Sequence, residues 1–485
     1  MRITNGIMIN NSLNNIRKNK TLSDKLNTQL ATTKKIQRPS EDPIVAIRAL
    51  RLRSTYNEIE QYLDKNIPDA RSWMETTQEA IESINAVLTD ISYYCNQGVN
   101  GYNTVDERNT LVTTLKQLRD QIYSDGDANL VDRTIFTGYK TDSNLTFSDD
   151  EPNTIYSIVQ NFTSDNIKNT NRIKGLPIDD IQETSALEID NVQHHVINLG
   201  YKNINSIDKI TIGNVDYTFN GGTGQPKLVE VSISDESAYT EIPSNEDWIV
   251  YVKETGELLL GEKAFGLMTS GKPMSVDYTK VGFEQGELRP EHYFTCTNET
   301  KGIDYTKTDQ PINYTINFGQ TITINTQAQN VLPHDIARDL DEIIQSVVAA
   351  IDVQTKISTL EKRLETEIDE TNIKNINSMI DVLKLELSYA EDNMKNTFAG
   401  GITAYKNHQE KLSIELSDIG ARLIRLSLNE ERLTTQKLNV EDLKSKNEEI
   451  EEEEVAVEWA AAQAVYDASL ATSAKVVQKS LLDFL

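Results

Sequence analysis

Apolar side chains recur at helical spacing in the first part of the chain. From Val45 to Tyr94, alternating steps of four and three residues fall on apolar side chains at nearly every position. Heptads sustained over this length are typical of a coiled-coil seam, whereas a globular amphipathic helix is usually shorter. We therefore expect this helix to pair with another helical arm of the chain. The main members of the predicted arm-pairing seam are Leu52, Tyr56, Ile59, Leu63, Trp73, Ile84, Val87 and Ile91.

Two prolines and an aspartate define how this helix begins and where it is disturbed. Asp42 is a candidate N-cap, because its carboxylate can accept from free backbone N–H groups, and Pro43 suits the first helical position. Pro68 falls inside the seam and has no N–H to donate to the carbonyl of Asp64. The sequence therefore predicts a kink at Pro68.

Helical spacing returns in the last part of the chain, which contains no proline after Pro333. Heptad spacing over 376–394 is interrupted at Gly400–Gly401 and resumes over 412–426. An acidic run at 448–454 precedes one more predicted helix, which is rich in alanine. Small side chains let helices approach closely, so we predict that this helix assembles with partners. The predicted assembly stripe consists of Val455, Trp459, Tyr466, Leu470, Val477, Leu481 and Phe484.

The middle of the chain carries strand and turn signals instead. Segments 209–212 and 215–219 flank Gly213-Asn214, and segments 314–318 and 321–324 flank Gly319-Gln320. Alternating segments around a two-residue Gly turn predict β-hairpins. We therefore predict an α+β protein with an N-terminal helical arm at 1–140, an inserted β-rich domain at 141–333 and a C-terminal helical arm at 334–485. The two arms are expected to pair as a coiled-coil or helical bundle.

Charge and composition restrict the possible partners. The chain has 48 Lys and Arg against 75 Asp and Glu, a formal net charge of −27. This balance argues against nucleic acid or an anionic membrane as the main partner, since both attract clustered cations. No apolar run is long enough for a membrane span, and the first residues lack the apolar stretch of a signal peptide. Two cysteines are too few for a disulfide framework.

Three near-motifs do not meet the requirements of the chemistry they suggest. Segment 266–273 approaches a phosphate-binding loop, but Pro273 stands where the hydroxyl residue should be and no helix is predicted after it. A strand–turn–strand is the preferred interpretation. Asp125 and Asp127 begin like a calcium loop, but Leu130 and Phe136 replace the required Gly and Glu. The histidines and cysteines show no ligand or nucleophile spacing, so we expect no enzyme activity, cofactor or metal.

Several stretches of the sequence form a recognisable set. They are residues 33–43, which contain Arg38-Pro39-Ser40-Glu41-Asp42-Pro43, and residues 48–54, 133–142, 419–423 and 480–485. Together they closely resemble the flagellar hook-associated protein 3 family, the hook–filament junction proteins. Flagellin is the close relative and the alternative. Flagellins usually carry an Arg-Ile-Asn segment followed by two aspartates where this chain has Arg38–Pro43, so the junction family is favoured.

The resemblance implies that the terminal helices pair in an inner α-helical tube and that the β domain faces outward. It implies export through the flagellar type III channel without a cleaved signal peptide, and a place at the extracellular hook–filament junction. The implied partners are further copies in a ring, hook-associated protein 1, flagellin and a cytoplasmic export chaperone. Two other classes stay open: a coiled-coil scaffold or adhesin, which needs an anchoring signal, and an enzyme on a flagellin-like frame, which needs catalytic residues within 141–330.

Overall fold

A computed structural model describes residues 5–101, 104–185, 189–219, 226–232 and 247–482. Long helices occupy both terminal parts of the chain, and strands lie between them, which confirms the predicted α+β class. The helices are α1 (Asn5–Thr32), α2 (Pro43–Gln61), α3 (Ile67–Asn100), α4 (Val105–Gly126), α5 (Glu262–Thr269), α6 (Ala328–Val331), α7 (Asp335–Thr366), α8 (Glu370–Glu448) and α9 (Glu452–Leu482).

The strands form two larger sheets and two hairpins. They are β1 (Asn129–Leu130), β2 (Arg133–Thr134), β3 (Glu151–Phe162), β4 (Lys168–Lys174), β5 (Asp190–Asn198), β6 (Ser206–Ile212), β7 (Val215–Tyr217), β8 (Lys227–Val231), β9 (Trp248–Val252), β10 (Glu257–Leu260), β11 (Met274–Phe283), β12 (Thr295–Asn298), β13 (Ile303–Tyr305), β14 (Asn313–Asn317) and β15 (Gln320–Thr323). One sheet has the order β4-β5-β10-β9-β8 and the other the order β13-β12-β3-β11-β6-β7. β1 pairs with β2, and β14 pairs with β15.

The chain folds into two compact units. The first, here called the arm unit, consists of Met1–Arg71, Tyr314–Ile322 and Ile424–Leu485. The second, here called the central unit, consists of Ser72–Asn313 and Thr323–Leu423. The three predicted segments 1–140, 141–333 and 334–485 follow the secondary structure rather than these contacts, and they stay a prediction about domains.

The core of the central unit explains why its strands differ in sequence pattern. β9 and β10 lie in the middle of the five-stranded sheet and are buried on both faces, as in Ile249, Val250 and Leu259. Strands covered on both faces read as continuous apolar runs. β3 instead alternates, with Tyr156 and Ile158 buried and the residues between them partly exposed. A strand covered on one face needs apolar residues only at every second position.

One predicted hairpin is confirmed and the other is displaced by one residue. β6 and β7 pair around Gly213-Asn214 as predicted. The second hairpin turns at Phe318-Gly319, because β14 ends at Asn317 and β15 begins at Gln320. Gly319 has a φ of 67°, a left-handed conformation that glycine adopts without a steric penalty. That glycine therefore takes the second position of the turn rather than the first.

The interruption of the heptad spacing at Gly400–Gly401 does not end the helix, since α8 runs through both glycines. A Cβ on Gly401 would lie 2.7 Å from Cδ1 of Ile343 on α7. Gly401 therefore permits α7 and α8 to pack closely, whereas a Cβ on Gly400 would meet nothing within 4 Å. Sequence alone does not distinguish a glycine that ends a helix from one that allows a close approach.

Segment 266–273 forms the end of a helix and a turn, and a strand follows it, so the predicted strand–turn–strand is wrong. α5 ends at Thr269, Gly271 adopts a φ of 86°, and β11 begins at Met274. Ala264 and Met268 are buried four residues apart, the spacing of one helix face. The helix precedes the glycine turn instead of following it, so the geometry of a phosphate-binding loop is missing.

Candidate assembly surface

The helix of the N-terminal arm begins as predicted. The carboxylate of Asp42 accepts from the N–H groups of Ile44 and Val45, and Pro43 is the first helical residue. The helix continues from α2 into α3 through one π-helical turn, Tyr62–Asn66. In this turn the N–H of Ile67 donates to the carbonyl of Tyr62, one residue further back than in an α-helix. The wide turn lies immediately before Pro68, at the place where the sequence predicts a kink.

The π-helical turn adds one residue, and after it every second position of the seam is shifted by one residue. Trp73, Ile84, Val87 and Ile91 are buried, as the arm-pairing seam requires. Four residues with no exposed surface, however, each lie one residue after a position of the heptad count. They are Met74, Ile81, Leu88 and Cys95. A heptad counted straight through the turn misses them. Pro68 is the signal in the sequence that a register change was possible.

In the arm unit, α2 lies antiparallel beside the last part of α8. Two ion pairs join these helices in opposite chain directions, Arg53 with Glu448 and Glu60 with Lys437, and Arg71 at the start of α3 continues the series with Glu430. Ile59 is buried, while Leu52, Tyr56 and Leu63 are half-buried. The ammonium groups of Lys437 and Lys444 lie 5.3 and 4.8 Å from the ring centre of Tyr56. These predicted seam residues therefore lie on the pair formed by α2 and α8.

In the central unit, α3 also lies antiparallel beside α8. The side-chain amide of Gln409 donates to the hydroxyl of Thr89 over 2.8 Å. Nearer the end of α3, a Cβ on Gly98 would lie 2.5 Å from the ring of Phe398. Such a close approach leaves room only for glycine at position 98.

Both arms are interrupted at the same level, at what we call the arm joint, residues 33–42 and 448–451. The N–H of Lys35 donates to the carbonyl of Glu448 over 2.8 Å, and the N–H of Ile450 donates to the carbonyl of Thr33 over 3.1 Å. These backbone hydrogen bonds hold the two non-helical connections side by side. The joint therefore couples the connection from α1 to α2 with the connection from α8 to α9.

Glu448 is the charged centre of the arm joint. Its side chain is 5% exposed, and its carboxylate lies 2.5 Å from Arg53 and 3.8 Å from Lys34. The hydrogen bond from Arg53 is the main reason that the pKa of Glu448 lies below its usual value, and the nearby Lys34 acts in the same direction. The carboxylate is therefore ionised wherever the protein is folded near neutral pH.

Helices α1 and α9 form a second antiparallel pair in the arm unit. The hydroxyl of Ser23 donates to the side-chain oxygen of Gln463 over 2.9 Å, and Leu26 and Ala462 are buried. Val455, Trp459 and Tyr466 of the predicted assembly stripe are half-buried on the face that contains Ala462, and Leu470 is exposed. Val477 and Leu481 belong to α9, but their side chains lie outside the described structure, as does all of Phe484.

The stripe predicted for assembly thus has an intramolecular neighbour, α1, over its first half. The opposite face of α9 is the exposed one, with Val457 71% exposed and Val465 also exposed beside several alanines. On α2, Ile44, Ile47 and Leu50 are likewise exposed. Counting the most hydrophobic heptad positions selects intramolecular seams and overlooks such faces.

Charged and sulfur-containing groups elsewhere have structural roles. The carboxylate of Asp127 accepts from the N–H groups of Leu145 and Thr146, so it fixes the connection that precedes β3. Burial raises the pKa of the thiols of Cys95 and Cys296 to about 12. Across the described ranges, no three His, Cys, Asp or Glu side chains are grouped as metal ligands. None of the helices described is long and apolar enough to cross a membrane.

The N-terminal part of the chain is similar to known flagellar proteins. Residues 3–141 match the family described as the bacterial flagellin N-terminal helical region. Flagellar hook-associated protein 3 of Salmonella typhimurium is 30% identical over 150 residues, which cover 30% of this chain and 45% of that protein. The protein of the same name from Escherichia coli is 27% identical over 147 residues, again 30% of this chain and 45% of the relative.

These matches confirm the resemblance to hook-associated protein 3, although they span less than half the length of the relatives. Among solved structures, a flagellar hook-associated protein from Vibrio parahaemolyticus aligns over 84% of this chain and 100% of its own. Its sequence identity is 14% and its TM-score 0.36, which is too low to establish a shared fold.

Proposed function

We propose that this chain is a structural subunit of the bacterial flagellum that joins the hook to the flagellin filament. The observation that carries the proposal is the similarity of about 150 residues of this chain to hook-associated protein 3 of two bacteria. The paired arms support it physically. Long antiparallel pairs joined at a common level offer extended surfaces for neighbours and contain no arrangement for chemistry among the described side chains.

The proposed partners follow from a position between two different assemblies. One copy would contact other copies in a ring, hook-associated protein 1 on the hook side and flagellin on the filament side. The exposed apolar residues of α2 and α9 support a need for such partners, because large apolar side chains exposed together on a helix usually mark an interaction site. Before assembly they would also favour aggregation, so we include a cytoplasmic export chaperone among the partners. Secretion to the cell exterior through the flagellar export channel belongs to the same proposal.

Deletion of the gene in the bacterium that carries it tests the proposed function. We expect flagellin to be made and exported but shed into the medium, while hooks remain on the cell. The protein itself should be found in small amounts in sheared flagella and, by antibody labelling, at the base of the filament. Normal filaments in the deletion strain would rule out a junction role.

Flagellin itself is the second candidate, since the N-terminal match is to the flagellin helical region. A filament subunit would be the most abundant protein of sheared flagella and would label along their whole length. Deletion would then remove the filament without releasing any flagellin into the medium. The amount of this chain in sheared flagella therefore separates the two candidates.

A further inference from the structure

An exposed cationic patch lies at the start of α2. Its apolar members are more than half exposed, and Ile44 is 72% exposed. Its arginines are exposed and, within the part of the chain that the structure describes, form no ion pair. The patch consists of Arg38, Ile44, Ile47, Arg48, Leu50 and Arg51. In a chain of net charge −27, such a cluster of unpaired arginines beside exposed apolar residues calls for an anionic, partly apolar partner.

The exposed face at the start of α9 has the complementary chemistry. Its glutamates are exposed and unpaired in the described structure, and its apolar members, Val457 above all, are exposed as well. The helical spacing of these residues places Val457 opposite the stripe that faces α1 and Glu458 and Val465 on the flank beside it. This anionic face consists of Glu453, Glu454, Val457, Glu458, Ala461 and Val465.

Both surfaces begin at the arm joint but on different helix pairs. The side-chain amide of Asn447 donates to the carbonyl of Val45 over 3.1 Å, which sets the start of α2 level with the end of α8. α9 starts a few residues later, at Glu452. At a rise of about 1.5 Å per residue, each surface lies within roughly 20 Å of the joint along its own helix. No ion pair connects the two surfaces within the chain as described.

We propose that the cationic patch of one copy binds the anionic face of α9 in a second copy. The inference rests on the proposed function, in which copies assemble side by side. Like charges would repel if two cationic patches or two anionic faces met, so the contact joins unlike surfaces. Such a heterologous contact repeats from copy to copy and builds a ring or a helical array, whereas a self-complementary contact stops at a dimer.

Charge reversal tests the contact with purified full-length protein at high concentration and low salt. We expect R48E/R51E and, separately, E454R/E458R to weaken self-association at least tenfold in sedimentation velocity. An equimolar mixture of the two variants should associate again, because each reversed surface then meets an opposite charge. A chain that carries both reversals should also self-associate. Far-UV circular dichroism melts check that the variants fold like the unaltered protein.

Disulfide formation supplies a geometric readout. Ile47→Cys and Val457→Cys place one thiol on each surface, and the native Cys95 and Cys296 are buried and should not react. A mixture of the two single variants should give disulfide dimers, and the chain that carries both thiols should give a ladder of higher oligomers. Single variants alone should give few dimers.

Three results would contradict the proposed contact. The mixture of the two charge-reversed variants could stay monomeric, or the chain with both thiols could form no ladder of disulfide-linked oligomers. The third is that each single-cysteine variant forms as many disulfide dimers alone as in the mixture. Binding of the cationic patch only to a different acidic protein would overturn it too. These assays use purified protein and need no flagellum, so a negative result would not contradict the proposed junction role. Conversely, normal filaments in the deletion strain would contradict the junction role but not the contact between copies.

Discussion

Arg53 on α2 and Glu448 at the end of α8 form a two-pronged ion pair, in which Nε donates to Oε1 over 2.7 Å and Nη2 donates to Oε2 over 2.5 Å. The pair lies at the arm joint, where backbone hydrogen bonds join the two non-helical connections. Parallel hydrogen bonds of this kind fix orientation as well as distance. The pair therefore sets the register of α2 against α8 at the joint.

Glu448→Gln should lower the free energy of unfolding by about 1–2 kcal/mol. The amide loses the charge that faces Arg53 and Lys34, but Arg53 stays partly hydrated, which keeps the loss below that of a fully buried pair. Urea unfolding measures the change. Glu430→Gln is the matched control, since Glu430 is 44% exposed and its pair with Arg71 should contribute less than about 0.5–1 kcal/mol. Equal losses would contradict the special role of Glu448.

His292 should make stability depend on pH in mild acid. Burial, assisted by Lys140 and Arg289, lowers the pKa of His292 from 6.5 to about 4. The folded protein therefore keeps the ring neutral while the unfolded chain takes up a proton. Stability is fully present above pH 6.5 and is lost as the pH falls toward 4, by about 2–3 kcal/mol for this residue.

The variant His292→Gln isolates that contribution from those of the carboxylates. Between pH 7 and pH 4.5 the variant should lose about 2 kcal/mol less stability than the unaltered protein, measured by urea unfolding at each pH. Parallel curves for the two proteins would show that His292 does not titrate between folded and unfolded states as described.

A structural feature can be predicted from the sequence when the interactions that form it are short in range. The cap at Asp42 and the turn at Gly213-Asn214 were predicted, because they depend on neighbouring residues. The order of the sheets was not, since β5 pairs with β10 and β3 with β11 across long stretches of chain. Local pattern contains no information about which distant strand becomes a neighbour.

The candidate surface shows the same limit. Heptad counting locates the arm seam, but it cannot identify the partner of each stripe. The first half of the α9 stripe faces α1, and the assembly role predicted for the stripe stays a prediction. The exposed faces at Ile44 and Val457 became visible only once the intramolecular pairs had been found. Exposure is a property of the folded arm and not of the residue types.

The adjacent glycines of α8 should respond oppositely to alanine. Gly400→Ala should stabilise the protein by about 0.5–1 kcal/mol, because the Cβ meets nothing within 4 Å and glycine is a poor helix former. Gly401→Ala should destabilise it by about 1–3 kcal/mol, because the Cβ presses on buried Ile343. Thermal melts of the two variants check this. A gain at both positions would contradict the close packing of α7 on α8.

Val131 should be improved by replacement with asparagine. It adopts a φ of 52° in the turn between β1 and β2 and is 84% exposed, so a β-branched side chain is strained there without packing in return. Val131→Asn should raise the free energy of unfolding by about 1 kcal/mol, because asparagine tolerates the left-handed conformation. Val192→Asn, at a partly exposed position of β5, should instead lower it. A loss at Val131 would mean that its side chain makes a contact that compensates the strain.

The offset of the seam after the π-helical turn can be tested by truncating two residues of α3. Leu88 has no exposed surface, although the unbroken heptad places its neighbour Val87 on the seam. Tyr94 is a heptad position by the same count but is only half-buried, and the next residue, Cys95, is the fully buried one. Leu88→Ala should therefore cost about 2–5 kcal/mol through lost burial and a cavity. Tyr94→Ala should cost less, about 1 kcal/mol, although tyrosine is the larger side chain. Urea unfolding of both variants measures the two losses of stability. A larger loss for Tyr94→Ala than for Leu88→Ala would show that the seam follows the unshifted heptad and that the π-helical turn does not change the packing of α3.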